Sequence, residues 1–555
     1  MGPVRLFWIT WILETALVIT VQGQHTPTSA SVKFVPTADP VLELARDDSA
    51  FGSPYISLDS WIYPALMRLQ ALGYADGAYL GLQPWTRLNV ANMLAETSDK
   101  LSGHPEDEEA WSIFQALTSE IAPDLKEVSD KKRMAEIDRV YTRVLGIAGT
   151  PLRDSFHVGQ TIVNDYGRPY QEGFSNVTGF GARGTSGRFS LDFRGEFLRA
   201  PSTTGYSMAV AQTLSAIDTV PFGLNQATIP QGPIASISDF RVVEANLSVH
   251  LLNHEISFGK SDEWMGTAVG GGMAWSNNAE DIYSFRVNRV EPLYIPGLSR
   301  LTGPFRYDFL VGSLKGHTDP NAPWIHAEKV SFKPTRNVEI GFERSVIWGG
   351  KGHAPITLHT FFKSFFSFQN VTAAEKFSRS DPGARWGAFD FSYRLPYLRN
   401  WLTLYSDSIA HDGVSPASAP RRASVRPGIY LSHFPGVAKL DLRVEAVSTD
   451  PPTARSNGGQ FNYDEVVQAQ GYTNKGQIIG DWIGREAKGG QAWMNYHLSP
   501  NEWVQLSYRN AKAAKYFIPR GTTQHDFSLQ VVKRLNPELE LNAWIQAGRV
   551  EGSAS

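Results

Sequence analysis

Lys439–Val447 reads Lys-Leu-Asp-Leu-Arg-Val-Glu-Ala-Val. Leu440, Leu442, Val444 and Ala446 fall on one side of a period-two ribbon, and Asp441, Arg443 and Glu445 on the other. Successive strand side chains point to opposite faces, so this is a strand with one apolar and one ionised face. The pattern recurs. Leu191, Phe193, Gly195 and Phe197 oppose Asp192, Arg194 and Glu196. Val243, Ala245, Leu247 and Val249 oppose Glu244, Asn246, Ser248 and His250. Leu539, Leu541, Ala543 and Ile545 oppose Glu540, Asn542, Trp544 and Gln546. From about Ser155 onward the period stays at two, giving roughly sixteen to eighteen candidate strands with no helical period of useful length between them. Alternating βαβ units are excluded, leaving sandwich, propeller or barrel. The lack of a fixed 40–50-residue signature disfavours a propeller.

Composition narrows the choice. The 555 residues carry 52 basic and 55 acidic side chains, a net charge of −3, which argues against a nucleic-acid partner. Aromatics reach 12%, glycines number 49, and cysteine is absent, as suits passage through an oxidising compartment. Mean hydropathy of −0.25 excludes a polytopic helical membrane protein. The N-terminus reads Met1-Gly2-Pro3-Val4-Arg5, then the apolar run Leu6–Val21, then Gln22-Gly23. This resembles a secretory leader cleaved after Gly23, which implies export (1–23 leader); the rival, a retained transmembrane helix, is disfavoured by the short run and the lack of a basic stop-transfer cluster after it. A flexible segment, 24–53, follows.

Helical periodicity then occupies residues 54–149. Trp61, Ala65, Leu66, Leu69 and Leu72 share a face ended by Gly73; Leu88, Leu94 and Ala95 mark a second helix. Ala110, Phe114, Leu117 and Ile121 mark a third, bounded by Pro105 and Pro123, and Ile137, Tyr141, Val144 and Leu145 a fourth, closed by Gly146. A small helical bundle therefore precedes a β domain over 155–555. Longer loops near Pro201–Ser236, Trp264–Asp281, Val371–Ala384, Gly413–Ser424 and Asp450–Ile479 alternate with tight turns at Arg399-Asn400 and Asn536-Pro537. Long loops on one rim and short turns on the other describe an outer-membrane barrel. In lipid every backbone N–H must pair within the protein, so only helices and closed barrels span. Phe361, Phe362, Phe365, Phe366 and Phe368, with Tyr393, Tyr397 and Trp401, suit interfacial girdles facing outer-membrane lipid.

Several segments resemble the capsule assembly (Wzi-type) family of outer-membrane proteins. They are Asn164-Asp165-Tyr166-Gly167-Arg168-Pro169-Tyr170-Gln171-Glu172-Gly173; Ile256-Ser257-Phe258-Gly259-Lys260 with Trp264, Gly266 and Ser276-Asn277-Asn278-Ala279; Gly303-Pro304-Phe305-Arg306-Tyr307-Asp308-Phe309; and Lys333-Pro334 with Val338-Glu339-Ile340-Gly341-Phe342 and Trp348-Gly349-Gly350. The resemblance runs from about Pro54 to Val550. It implies a transmembrane antiparallel barrel of about eighteen strands, a periplasmic helical bundle, and a lectin-like role toward capsular or extracellular polysaccharide. Family members end on a strand with a terminal aromatic residue read by the barrel-insertion machinery. This chain ends Gln546-Ala547-Gly548-Arg549-Val550-Glu551-Gly552-Ser553-Ala554-Ser555, so its last strand departs from that pattern. A second resemblance, of Asp59–Leu94 to an S-layer-homology repeat, rests on Trp61, Tyr63, Ala65, Leu66, Leu69, Gly73, Gly77, Pro84, Thr86 and Arg87; it implies a peptidoglycan partner, where the bland reading is a bundle that caps the barrel.

Sugar polymers are held by aromatic faces with Asn, Asp and Arg reading hydroxyls and carboxylates. Trp264, Trp275, Asn277 and Asn278, beside Gly270-Gly271-Gly272, form one candidate site; an aromatic girdle with an asparagine turn explains the same residues. Tyr166, Arg168 and Tyr170 form another, with Arg168 able to pair bidentately with an acidic sugar or simply to sit in a turn. Trp348 with Lys351 is a third, set against a packing role for Gly349-Gly350. Asp192, Arg194, Glu196, Asp441, Arg443 and Glu445 mix signs within strands, which points to a braced lumen rather than a wide channel. No catalytic constellation, cofactor motif or metal-ligand spacing stands out, so no enzyme activity is expected. The leading expectation is a polysaccharide-binding outer-membrane barrel; the runner-up is a substrate-selective porin, tethered to the wall.

Overall fold

The computed structural model describes residues 12–24, 51–129, 133–223, 226–368, 371–398, 400–412 and 419–552. Most of the expected flexible segment, 25–50, lies outside them. Eighteen strands form one closed antiparallel ring. They are β1 (Ile12–Gln24), β2 (Met134–Ala148), β3 (Gly173–Ser186), β4 (Phe189–Ala200), β5 (Ile237–Leu251), β6 (His254–Lys260), β7 (Tyr283–Arg289), β8 (Phe305–Ser313) and β9 (Trp324–Thr335), then β10 (Val338–Trp348), β11 (Ala384–Arg394), β12 (Leu402–His411), β13 (Ser424–Leu431), β14 (Leu440–Ser448), β15 (Ala487–Ser499), β16 (Glu502–Ala513), β17 (Thr522–Asn536) and β18 (Leu539–Gly552). Each strand pairs with the next in sequence, and β1 pairs with β18 on one edge and β2 on the other. The apolar segment read as an export leader thus forms the strand that closes the ring in the full chain.

The alternation holds wall by wall. Leu191, Phe197, Leu247 and Val444 face outward and are exposed, while Asp192, Arg194, Glu196, Asp441 and Glu445 are buried inside. Val243 is the exception: the β4–β5 register slips between Val242 and Glu244, and this bulge buries it.

Three helices cap the short-turn end: α1 (Ile62–Ala71), α2 (Arg87–Leu101) and α3 (Glu108–Ser129). Thr86 caps α2 by accepting from Asn89 N–H, and Glu108 and Glu109 complement the N-terminus of α3. The stripe from Ala110 to Ile121 is buried as expected, but α3 continues through Pro123, and Leu125 extends the same core. Trp61, Tyr63, Ala65, Leu66 and Leu69, central to the S-layer-type resemblance, point into this core.

The expected fourth helix is instead strand β2. Its register slips between Glu136 and Arg139, which breaks period two, and its lumen-facing Tyr141, Leu145 and Ile147 are apolar enough to mimic a helical stripe with outward Val144. The bundle therefore ends at Ser129 and the barrel resumes at Met134. Helices also occur in the loops, against expectation: α4 (Met208–Asp218) and α5 (Leu358–Phe365).

Helix α5 explains the phenylalanine cluster. Phe361 and Phe365 pack on outward-facing Phe309 of β8, with ring centroids 6.1 and 6.0 Å away, and beside His326 and Trp348. Arg344, also outward-facing, donates to the carbonyls of Phe365 (2.6 Å), Ser364 (2.9 Å) and Ser367 (2.8 Å), tying down the helix C-terminus. The helix roofs a polar patch of His326, Glu328 and Arg344 on the outer wall and presents Phe362 and Phe366 outward, continuing the apolar belt.

The orientation of β14 makes a direct test. Leu442→Arg places a charge on the lipid face, costing about 2–4 kcal/mol near the midplane, whereas Arg443→Leu alters only the lumen. Refolding yield into bilayers should drop sharply for the first and little for the second; equal tolerance would contradict the assigned faces.

Candidate functional site

The lumen is filled from both ends. From the long-loop rim, loops 149–172, 261–282 and 449–486 fold inward as a plug; from the other end the bundle inserts Leu82–Gln83, which pairs with Trp264–Met265 of the plug. The wall charges hold both. Asp407 accepts from Thr267 N–H (2.6 Å) and Ala268 N–H (3.1 Å), and Glu445 from Val269 N–H (2.9 Å) and Gly270 N–H (3.0 Å). Arg426 spans from Glu445 (3.0 Å) to Asp481 of the plug (2.5 and 2.8 Å). Toward the bundle, Glu339 accepts from Leu80 and Gly81 N–H, both at 2.9 Å, and Arg394 donates to Gln70 O at 2.6 Å. Charge-assisted bonds to backbone dipoles are the strong kind, and they satisfy loop N–H groups that no ladder reaches.

The residues expected to bind sugar sit in this plug, with one exception. Tyr166 N–H donates to Asn277 O (2.7 Å) and Gly167 N–H to Asn278 O (3.2 Å), so two separate candidate loops are one unit. Gly167 is required there: it has φ +59°, and a Cβ would lie 2.7 Å from Glu280 N. Asn278 donates onward to Ile478 O (3.1 Å). Arg168 is bidentate on Glu196 and reaches Asp165 at 2.6 Å, so its fork is already filled by protein carboxylates. Burial would raise the Asp165 carboxyl, but Arg143 and Arg168 hold it below its usual range. Tyr170 donates to Leu152 O (2.6 Å), and Trp275 is buried in the plug core. Trp348 lies on the outer face of β10 under α5, away from the lumen. Of these residues, Trp264 and Asn277 line a cavity.

That cavity, about 330 Å³, lies between bundle, plug and the inner wall of β13–β17. Its wall side presents Tyr430, Asp441, Arg443, Trp493, Asn495, His497, Trp503, Gln505 and Gln530. Strand pairing places Asp441, Asn495, Gln505, Gln530 and Trp544 opposite one another in a single rung across β14–β18. Asn495 donates to Asp441 (2.8 Å), Gln505 to Asn495 (2.7 Å) and Gln530 to Asn542 (3.0 Å). A second cavity of about 290 Å³, holding Arg143, Asp165, Arg509, Asn542 and Trp544, shares Gln530 with the first. Sequence reading found Asp441 and Arg443 but missed the amide row. The signal was present, since Trp544 and Gln546 fall on an inward face, yet the pairing that aligns them across strands is not a local property.

A closed barrel with an apolar outer belt, a packed lumen and a helical cap defines a plugged outer-membrane β-barrel. The Capsule assembly protein Wzi family profile matches residues 144–553, about three quarters of the sequence, and the chain belongs to that family. The structure of Wzi from Escherichia coli, described as an outer membrane protein involved in group 1 capsule assembly and a carbohydrate-binding β-barrel, superposes with a TM-score of 0.62 at 17% identity, over 90% of this chain and 99% of that one. OprB of Pseudomonas putida aligns over 77% of this chain and 96% of its own, at 11% identity and a TM-score of 0.35. An uncharacterized 55.8 kDa protein in the cps region of Klebsiella pneumoniae is 24% identical over 218 residues, 39% of this chain; the match spans only 42% of that relative's length.

At the loop side of the plug, His157 lies between Asp154 (2.7 Å) and Asp218 (2.8 Å), and Arg485 pairs with Asp218 at 2.6 Å. Burial works against the imidazolium, but the two carboxylates outweigh it and push the His157 pKa up to about 9. Burial likewise opposes the Asp218 carboxylate, and His157 and Arg485 hold it below its usual range. The charged histidine thus stabilises the fold fully below about pH 6.5, its unfolded value, and this contribution fades as pH rises toward 9. Thermal unfolding in detergent should show wild type losing on the order of 3 kcal/mol more than His157→Gln between those pH values; parallel curves would remove the role assigned to this cluster.

Proposed function

We propose that this chain is a lectin-like outer-membrane barrel that binds capsular or extracellular polysaccharide and promotes its attachment to the cell surface. Family membership supports the setting. The observation that carries the reading against a porin is the doubly filled lumen, in which wall carboxylates are spent on plug and bundle backbone rather than lining a channel. A substrate-selective pore needs an open path; a binding protein needs a rigid frame. Deleting the gene should release polysaccharide into the medium without stopping its synthesis, and the purified protein should form no stable pore of nanosiemens scale in planar bilayers. Undiminished surface retention, or steady conductance, would overturn the reading.

Export into a Gram-negative-type envelope through the N-terminal leader belongs to the same proposal. N-terminal sequencing of protein recovered from membranes should begin at Gln24; that cleavage removes β1, so the mature barrel would close by pairing β18 directly with β2. A start upstream of Ile12 would refute cleavage and leave the segment as β1.

A further inference from the structure

We propose that the amide row on the inner wall of β14–β18 is a binding track for a short acidic oligosaccharide, reached from the bundle end. It rests on the polysaccharide reading above and gives that reading an internal site distinct from the outer loops.

Four features carry it. The first is space. Two cavities of about 330 and 290 Å³ meet at Gln530, and the larger alone falls within the range of small-molecule sites, roughly 300–1,000 Å³. The second is unspent hydrogen bonding. Asn495, Gln505 and Gln530 each give one N–H to a neighbour in or beside the row, and no described residue takes the other. Asn277, with 8% of its surface exposed, lines the cavity from the plug side, and its Oδ1 has no hydrogen-bond partner among the described residues. A buried polar atom left so is costly unless something polar reaches it. Sugar hydroxyls, which both donate and accept, match a row of amides.

The third feature is the aromatic surround. Trp493 and Trp503 flank the row within the first cavity, and Trp544 ends it in the second. Flat apolar faces beside amides suit the C–H faces of a pyranose ring. Five neighbouring strands span about 19 Å, room for a few linked rings. The fourth is charge. Arg443 stacks on Tyr430, 4.1 Å from its centroid, and hydrogen-bonds the Tyr405 side chain, but makes no ion pair among the described residues, whereas neighbouring Asp441 is already engaged by His497 at 2.6 Å. A guanidinium that lines a cavity with no carboxylate paired to it selects one from a ligand, hence a uronate-bearing sugar. The lining reaches exposed Pro64 of the bundle and Pro500 in the β15–β16 turn, which sets the mouth at the short-turn end.

The test is calorimetric titration of the full chain in detergent with an oligosaccharide alternating glucuronate and N-acetylglucosamine, and with its carboxyl-reduced form. Wild type should bind the acidic form at least tenfold more tightly than the reduced one. Gln505→Leu with Gln530→Leu should weaken binding at least tenfold, with heat-modifiable gel migration reporting a folded barrel. Arg443→Gln should abolish the preference for the acidic form, and this arm decides the matter even if the double variant does not fold. Wild type binding neither oligosaccharide, or folded variants binding as wild type does, would overturn the track. If cells carrying those variants still retain their polysaccharide, the surface-binding reading stands and only the internal track falls.

Discussion

The structure depends on carboxylates that project from the barrel wall and accept hydrogen bonds from the backbone of what fills it. Asp407, Glu445 and Glu339 each take two or more N–H groups from plug or bundle segments that belong to no long ladder. Taking an ionised group out of water is expensive unless its lone pairs are filled. Here the cost is offset because each carboxylate also resolves the problem of an inward loop, whose amides would otherwise be orphaned. Removing the plug would leave buried charges uncompensated, and removing the charges would leave the plug without partners. Wall and filling are one interaction network.

That network explains why the interior mixes signs. A channel segregates charge to create a field along its path; this wall alternates it to make short pairs. Arg426 joins Glu445 to Asp481, and Arg194 joins Glu244 to Asp59 of the segment leading into the bundle, at 3.4 and 2.7 Å. Each arginine bridges two bodies, so the rigid barrel fixes the register of loops that have little regular structure. The outer wall repeats the device once, where Arg344 holds α5 over the ionised patch beneath it.

Much of this was legible in sequence, and what was not has a physical reason. Strands such as β14 and β4 declare themselves because their lumen faces are ionised and their outer faces apolar. Strand β2 hid because its lumen face meets plug residues Ile162 and Tyr170 and is itself apolar at Leu145 and Ile147, while its bulge shifts the parity. Helix propensity could not arbitrate, since Ile137, Val140 and Val144 read either way. Among the site residues, aromatic and asparagine content in the loops marked the plug correctly as a special region but not as an interior one: Arg168 looks like a ligand's partner until Glu196, 28 residues away, is folded onto it. Trp348 carried no sign that its face would be roofed by α5.

The lumen is also lopsided, and the strand sequences say why. From β4 to β14 the inward positions hold Arg194, Arg286, Lys329, Arg426 and wall carboxylates; Lys329 pairs with Asp390 within the wall, while Arg194 to Asp59, Arg286 to Glu263 and Arg426 to Asp481 draw the bundle-side segment and the plug against it. From β15 to β18 the inward positions are largely Gln491, Trp493, Asn495, Gln505, Ser507, Ser528, Gln530, Asn542, Trp544 and Gln546, with Arg509–Asp526 as a close ion pair on facing β16 and β17. Amides and indoles carry no net charge with which to recruit a filling segment across the lumen. They satisfy one another along the rung instead, and the space in front of them stays open. Both cavities therefore sit on the side of the barrel where the wall changes from ionised to neutral polar, and Arg443, which makes no ion pair among the described residues, stands at the boundary between the two.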